Sequence, residues 1–369
     1  VPSAAALAAL RGEPLPILSE PEWSEALAYA AAHHILPSVL EALSQRTAEM
    51  PEAVRAKVVR ELRQQRLDSF WWTSQLTSLL RAFTAATIPV IPLKGPALAE
   101  RLYGTPHLRL CRDLDLLIRP EHRAQAEAAL TQQGFAPVEA ADDYHQTWLR
   151  GQTPVELHRG IAIPHTFRFD LAGAWARAGQ GTVAGQPTLQ FAPADELLYL
   201  CLHAARHRFE RLSLVLDIDH ALTRLGDALT PELLTPELLT QAARADLTGP
   251  LLVGAALARR LRDTAPDPRI TPRADQIAAR LWADLTSGHP TPFHTADLYR
   301  FFVELEPTPW VRTRRRVRHL RIAATRLIGE DFVFAARFGI TSSALVRILR
   351  PLRLVLRYAL PRRSKAPDP

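Results

Sequence analysis

Two acids one residue apart inside an apolar run constrain this chain more than any other feature. Residues 112–118 read RDLDLLI, so Asp113 and Asp115 flank Leu114 where the pattern otherwise predicts a buried strand. Side chains two apart on a strand project from one face, so both carboxylates share a surface while Leu114 and Leu116 point away. Like charges that close repel, and one pKa rises unless a cation sits between them. Mg²⁺ resolves the conflict, because it takes hard oxygen ligands, typically one or two carboxylates plus substrate phosphates. The plainer alternative is a half-exposed strand whose acids face solvent.

A second apolar-flanked acid follows in PVELHRG, where Glu156 and His158 share a strand face by the same period-two argument. A two-metal phosphoryl-transfer centre gains from a further acid near the attacking group, and Glu156 is placed to join the two aspartates if the strands are neighbours. Upstream, TIPVIPLKG reads as a short strand that ends at a glycine, and PALAERLY continues as a helix. Gly95 at that helix start lets backbone N–H groups approach an anion, while Lys94, Arg109 and Arg112 supply charge for phosphate oxygens.

LKGPAL, RDLDLLI and VELH together resemble the uncharacterised nucleotidyltransferase family of the DNA polymerase beta superfamily. The resemblance implies a strand-glycine-helix turn at Gly95, metal ligands at Asp113 and Asp115, and a third acid at Glu156. It also implies two Mg²⁺ ions, an NTP substrate and in-line attack of an acceptor hydroxyl on the α-phosphate. The superfamily usually carries Gly-Ser where this chain has Gly95-Pro96, so a phosphate-binding hydroxyl and one N–H are missing. Lys94 is the compensating group in this reading. The segment HAARHRFERLSLVLDIDHAL is similar to the helical region that follows the catalytic unit in the family. It adds His203, His207 and Asp217 as nucleotide-binding candidates alongside His158. His203 and His207 lie four apart on a helix, also a zinc-ligand spacing, but without the intervening glutamate of a metalloprotease; they read as polar groups facing the cleft and meeting Asp217. The rival reading is a catalytically inactive or regulatory, antitoxin-like binding module on the same fold.

The rest of the sequence sets the frame. The expected class is α+β, a small mixed-sheet unit at 87–190 flanked by a helical N-terminal region (1–86) and a helical C-terminal domain (191–309), then a basic helical tail (310–369). In the N-terminal region SEPEW offers a capping box, Trp71 and Trp72 read as core or interdomain packing in preference to a ligand-site lining, and His33 and His34 read as packing or solvent-facing groups. The repeated TPELL reads as helix starts near Pro231 or Pro236. Cys111 and Cys201 read as buried thiols, with neither disulfide nor zinc spacing.

Residues 310–369 hold 15 Lys and Arg against 3 Asp and Glu, so the net charge of +7 belongs to the tail. There Arg347, Arg350, Arg353 and Arg357 fall in one stripe at helical spacing, which fits packing on the catalytic unit, an anionic membrane surface or RNA. The chain shows neither a secretion signal nor a membrane-spanning run, and the expected location is cytoplasmic.

Overall fold

A computed structural model describes the chain except residues 1, 139–143, 162–166, 230–233, 266, 289–294, 307, 326–333, 341, 343–344, 347, 351 and 354–369. Residues 1–307 form one compact unit and 308–369 another.

The first unit opens with four helices: α1 (Pro2–Arg11), α2 (Glu20–Ala32), α3 (Leu36–Ser44) and α4 (Glu52–Ala85). The capping box read from SEPEW starts α2, with the Glu22 carboxylate accepting from the Ser19 backbone N–H at 2.8 Å. The chain then alternates between strands and helices: β1 (Val90–Pro92), α5 (Gly95–Tyr103), β2 (Leu114–Ile118), α6 (Arg123–Gln132), β3 (Ala136–Pro137), β4 (His145–Arg150) and β5 (Thr153–His158). After α7 (Leu171–Arg177) and the hairpin β6 (Gly179–Val183) with β7 (Gln186–Gln190), helices resume as α8 (Pro193–Arg206), α9 (Leu212–Leu229), α10 (Pro236–Arg244), α11 (Thr248–Arg262), α12 (Pro272–Ser287) and α13 (Thr295–Leu305). The protein is thus α+β, with a five-stranded mixed sheet of order β1-β2-β5-β4-β3 set among helices.

Strand register turns the sequence pattern into two faces. β2 and β5 run parallel with Asp115 opposite Glu156 and Leu117 opposite His158, while β4 runs antiparallel to β5 with His145 opposite His158. Leu114, Leu116, Val155 and Leu157 therefore point to one side, where they pack with Leu76, Leu80 and Phe83 of α4 and with α6. Each such fully buried leucine contributes roughly 1.5–3 kcal/mol. The opposite face carries Asp115, Glu156 and His158 beside Ile91 and Leu117, which join the larger core built with α8, α9 and α11. Apolar packing on one face fixes the register, and the register fixes the acids on the other.

Some sequence expectations need correction. Trp72 packs on the sheet core, but Trp71 is 43% exposed and its neighbour Phe70 76% exposed, so the pair is not jointly buried. Helix α10 does begin at Pro236, with Thr235 capping Leu238 N–H; Pro231 lies outside the described residues. Cys201 is a buried free thiol and Cys111 is half-buried, donating to the Asp113 carbonyl.

The second unit contains α14 (Pro309–Thr325). Arg350 and Arg353 are each only 6% exposed, so two of the four arginines in the proposed cationic stripe are not surface groups. Arg347 and Arg357 lie outside the described residues. Among the described residues no helix is long and apolar enough to cross a membrane.

Candidate active site

The acid-bearing sheet face meets α8 and the start of α9 around a cavity of about 360 Å³. Lys94, Arg109, Arg112, Asp113, Asp115, Glu156, His158, His203 and His207 all line it. Seven of these nine lie on or next to the strand-helix turn, β2, β5 and α8, while Arg109 and Arg112 come from the segment leading into β2, with Arg112 exposed. Asp113 falls one residue before β2 begins, yet its side chain shares the cavity with Asp115.

Asp115 is the centre of the arrangement, with its side chain fully buried. Lys94 Nζ lies 3.0 Å from Oδ2, and His158 Nε2 lies 3.0 Å from Oδ1 and 3.2 Å from Glu156 Oε2. One imidazole N–H thus bridges two carboxylates. Burial pushes the Asp115 carboxyl up, but the Lys94 ammonium and the His158 hydrogen bond outweigh it and hold it well below the usual range. The Asp113 carboxyl is instead raised, first by burial and then by the Asp115 charge. The hydrogen bond from His158 lowers Glu156, while the same contacts overcome burial to raise His158. The two aspartates are thereby split, as two crowded carboxylates must be.

The donor atoms of Asp115, Glu156 and His158 all lie within 4.8 Å of one another. An octahedral ion with bonds of about 2.0–2.1 Å needs adjacent donors roughly 2.9 Å apart, close to the 3.0 and 3.2 Å from His158 Nε2 to the two carboxylates. Asp115 Oδ2 is buried without a well-aligned hydrogen bond; the Lys94 contact is an ion pair. A cation here would supply the charge that the His158 N–H now provides. His158, not Asp113, completes this close set, and Asp113 stands beside it.

Gly95 and Asp217 do not line the cavity. Gly95 opens α5 at φ +64, and a Cβ there would meet Cys111 Sγ at 3.4 Å and the Asp113 carbonyl at 3.6 Å. The glycine thus lets the turn press against the chain that delivers Asp113. Pro96 falls in the first turn of α5, where its missing N–H has no helical partner to lose. Asp217 on α9 does not meet the histidines as expected. Only 2% exposed, it grips Arg109 through two bonds of 2.9 Å, from Nε to Oδ1 and Nη2 to Oδ2, and accepts from the Tyr103 hydroxyl at 2.7 Å. A buried carboxylate on α9 is satisfied most strongly by a bidentate guanidinium, and Arg109 supplies it.

His203 and His207 stack edge to face with ring centroids 4.7 Å apart and belong to no three-ligand metal cluster among the described residues. Burial lowers both: His203 well below its usual value, with Lys94 adding to the effect, and His207 to about 4, with Arg206 adding. They are neutral polar groups.

The sequence reading overlooked several cavity residues: His34, Tyr144, His145, Tyr199, Arg206 and Arg211. His33 is indeed packed, with Nε2 at 2.8 Å from the Gly288 carbonyl, but its neighbour His34 turns to the cavity at φ +57. No pattern announces a left-handed histidine. Arg206 was legible in principle, because residues 203, 206 and 207 share one helix face.

The sequence profile of a family described as uncharacterised nucleotidyltransferase matches residues 19–263. No curated protein matches the sequence. Among solved structures, that of ANT(2'')-Ia in complex with adenylyl-2''-tobramycin is 18% identical, with a TM-score of 0.36 over 47% of this chain and 95% of that one. An antigenic nucleotidyltransferase-like protein from Paracoccidioides brasiliensis is 20% identical, with a TM-score of 0.31 over 49% of this chain and 91% of that one.

Proposed function

Because the chain belongs to the uncharacterised nucleotidyltransferase family, we propose that it transfers an NMP group from an NTP to an acceptor hydroxyl. The observation that carries this reading is the acid face itself: Asp113, Asp115 and Glu156 line one cavity whose other walls are cationic and histidine-rich. A strand whose acids merely face solvent would not hold the Asp115 side chain fully buried against Lys94 and His158.

Asp113, Asp115 and Glu156, with His158 closing the set, are the residues that would hold Mg²⁺. Bound there, the metal would neutralise phosphate charge and favour in-line displacement. Lys94 and Arg109 hold the triphosphate by charge, and Asp217 and Tyr103 keep Arg109 in place. The acceptor oxygen forms its bond to the α-phosphorus as the bond to the β-bridging oxygen breaks, and pyrophosphate leaves. Glu156, 30% exposed at its side chain, orients the acceptor hydroxyl and takes up its proton. Gly95 lets the α5 N-terminus come close to the nucleotide.

The direct test is label transfer. Full-length protein is incubated with Mg²⁺, each α-labelled NTP and a fractionated small-molecule pool, and both labelled acceptor and released pyrophosphate are followed. Transfer that disappears in Asp115→Asn supports the reading; release without dependence on Asp115 contradicts it.

A further inference from the structure

The wall beside Glu156 has a charge that the nucleotide does not account for. Arg206, at the end of α8, donates through Nη2 to the Tyr144 hydroxyl and through Nη1 to the Ile161 carbonyl at 3.2 Å, with its guanidinium 5.1 Å over the Tyr144 ring. All of these partners are neutral. Arg101 and Arg109, by contrast, are each matched to a buried carboxylate, Glu196 and Asp217. Among the described residues Arg206 forms no ion pair, so a guanidinium held by neutral partners stands at the cavity with no described carboxylate bound to it.

Its position is tied to the third acid. Tyr144 precedes His145, whose Nε2 lies 3.9 Å from Glu156 Oε2 and whose ring stacks on His158 at 5.3 Å. Lys94 approaches Asp115 at Oδ2, whereas His158, which also meets Glu156, approaches Oδ1, so the two sides of the acid cluster are distinct. His207 follows Arg206 into the same cavity. The chain is turned there by two consecutive left-handed residues, Arg208 at φ +52 and Phe209 at φ +53, with Phe209 fully buried. Such backbone costs about 1–2 kcal/mol per residue and persists only when its surroundings hold it. Five cationic side chains against three carboxylates line the cavity as a whole.

We infer that the acceptor is a small phosphomonoester, whose phosphate is received by Arg206 beside Glu156 while its hydroxyl faces the α-phosphate. This rests on the nucleotidyl-transfer reading and adds the acceptor's chemical class to it. A guanidinium held by neutral partners keeps its full attraction for a phosphate, and the cavity's size suits a small ligand beside a nucleotide chain of phosphates.

The test uses the full chain saturated with Mg²⁺ and a non-hydrolysable analogue of whichever NTP binds, titrated calorimetrically with inorganic phosphate and with glycerol 3-phosphate. Both anions should bind the saturated protein. Arg206→Gln should weaken them on the order of tenfold or more, and Arg206→Lys should restore most of the loss, with the analogue's own affinity changed less than about twofold. Matched thermal melts show that both variants are folded. Displacement of the analogue by phosphate would overturn the inference, as would equal binding to wild type and Arg206→Gln, or parallel loss of analogue and phosphate affinity in that variant. If no NTP analogue binds with Mg²⁺, the nucleotidyl-transfer reading itself fails.

Discussion

Asp115 on β2 and Glu156 on β5 are register partners across a parallel strand pair, and one N–H of His158 reaches both carboxylates, at 3.0 and 3.2 Å. Two acids brought that close are tolerable because Lys94 and His158 share their charge.

Lys94 therefore competes with any divalent cation for Asp115. Lys94→Met should lose stability in EDTA by about 3–5 kcal/mol, because a buried acid cluster is left with one cationic partner fewer. Adding Mg²⁺ should recover more stability in this variant than in wild type, since binding to the folded state is a linked stabilisation. Chemical denaturation with and without Mg²⁺ reads both effects; equal Mg²⁺ responses would show that no ion meets Asp115.

Asp217 should act on the nucleotide without touching it. Asp217→Asn keeps the volume and an oxygen that accepts from Arg109 but loses the charge that aims it, and NTP affinity should fall about tenfold with a smaller loss of stability than truncation causes. Asp217→Ala, which leaves the Arg109 guanidinium buried and unpaired, should cost about 3–5 kcal/mol in a denaturation midpoint series. Unchanged NTP affinity in the folded Asn variant would remove Arg109 from the phosphate site.

Gly95 is required for its conformation. Gly95→Ala should destabilise by about 1–2 kcal/mol, since φ +64 is left-handed and the new methyl meets Cys111 Sγ and the Asp113 carbonyl. The shift of that turn should also weaken NTP binding. A variant with wild-type melting and affinity would show that the turn relaxes freely.

Acid should loosen the cavity before it unfolds the rest. His34 and His207 are each lowered to about 4 by burial first, then by nearby arginines, Arg211 for His34 and Arg206 for His207. A histidine whose folded pKa is depressed takes up its proton more readily when unfolded. Its contribution is complete above the ordinary value of 6.5 and is lost as pH falls from 6.5 toward 4. The double variant His34→Asn, His207→Gln should flatten the fall in stability between pH 7 and pH 5; asparagine is chosen because it tolerates the left-handed backbone at position 34. An unaltered slope would mean that other groups set the acid response.

Much of the fold was legible because its signals are local. The capping box at Ser19, the glycine turn at Gly95 and the alternation in RDLDLLI and PVELH each depend on a few adjacent residues, and the strands and helices formed where those signals lie. Pairing of β2 with β5 was not written in either segment; it follows from both strands burying leucines on the same sheet face. Partnerships across long separations escaped the reading. Asp217 is expected beside His203 and His207 of the preceding helix, yet it meets Arg109 and Tyr103, 108 and 114 residues away, because α9 packs on α5. His34 was hidden by a left-handed backbone, and the exposure of Trp71 by its place midway along α4, between the stretch that packs on the larger core and the stretch that packs on the sheet core.

The central claim is a metal-dependent nucleotide site on the acid face, and NTP binding tests it most directly. Equilibrium binding of each of the four NTPs to the full chain, with Mg²⁺ and with EDTA, is compared between wild type and the Asp113→Asn, Asp115→Asn double variant. The account predicts that at least one NTP binds wild type only with Mg²⁺ and that the folded double variant loses this binding. NTP binding that persists in EDTA, or that survives in the double variant, would contradict it.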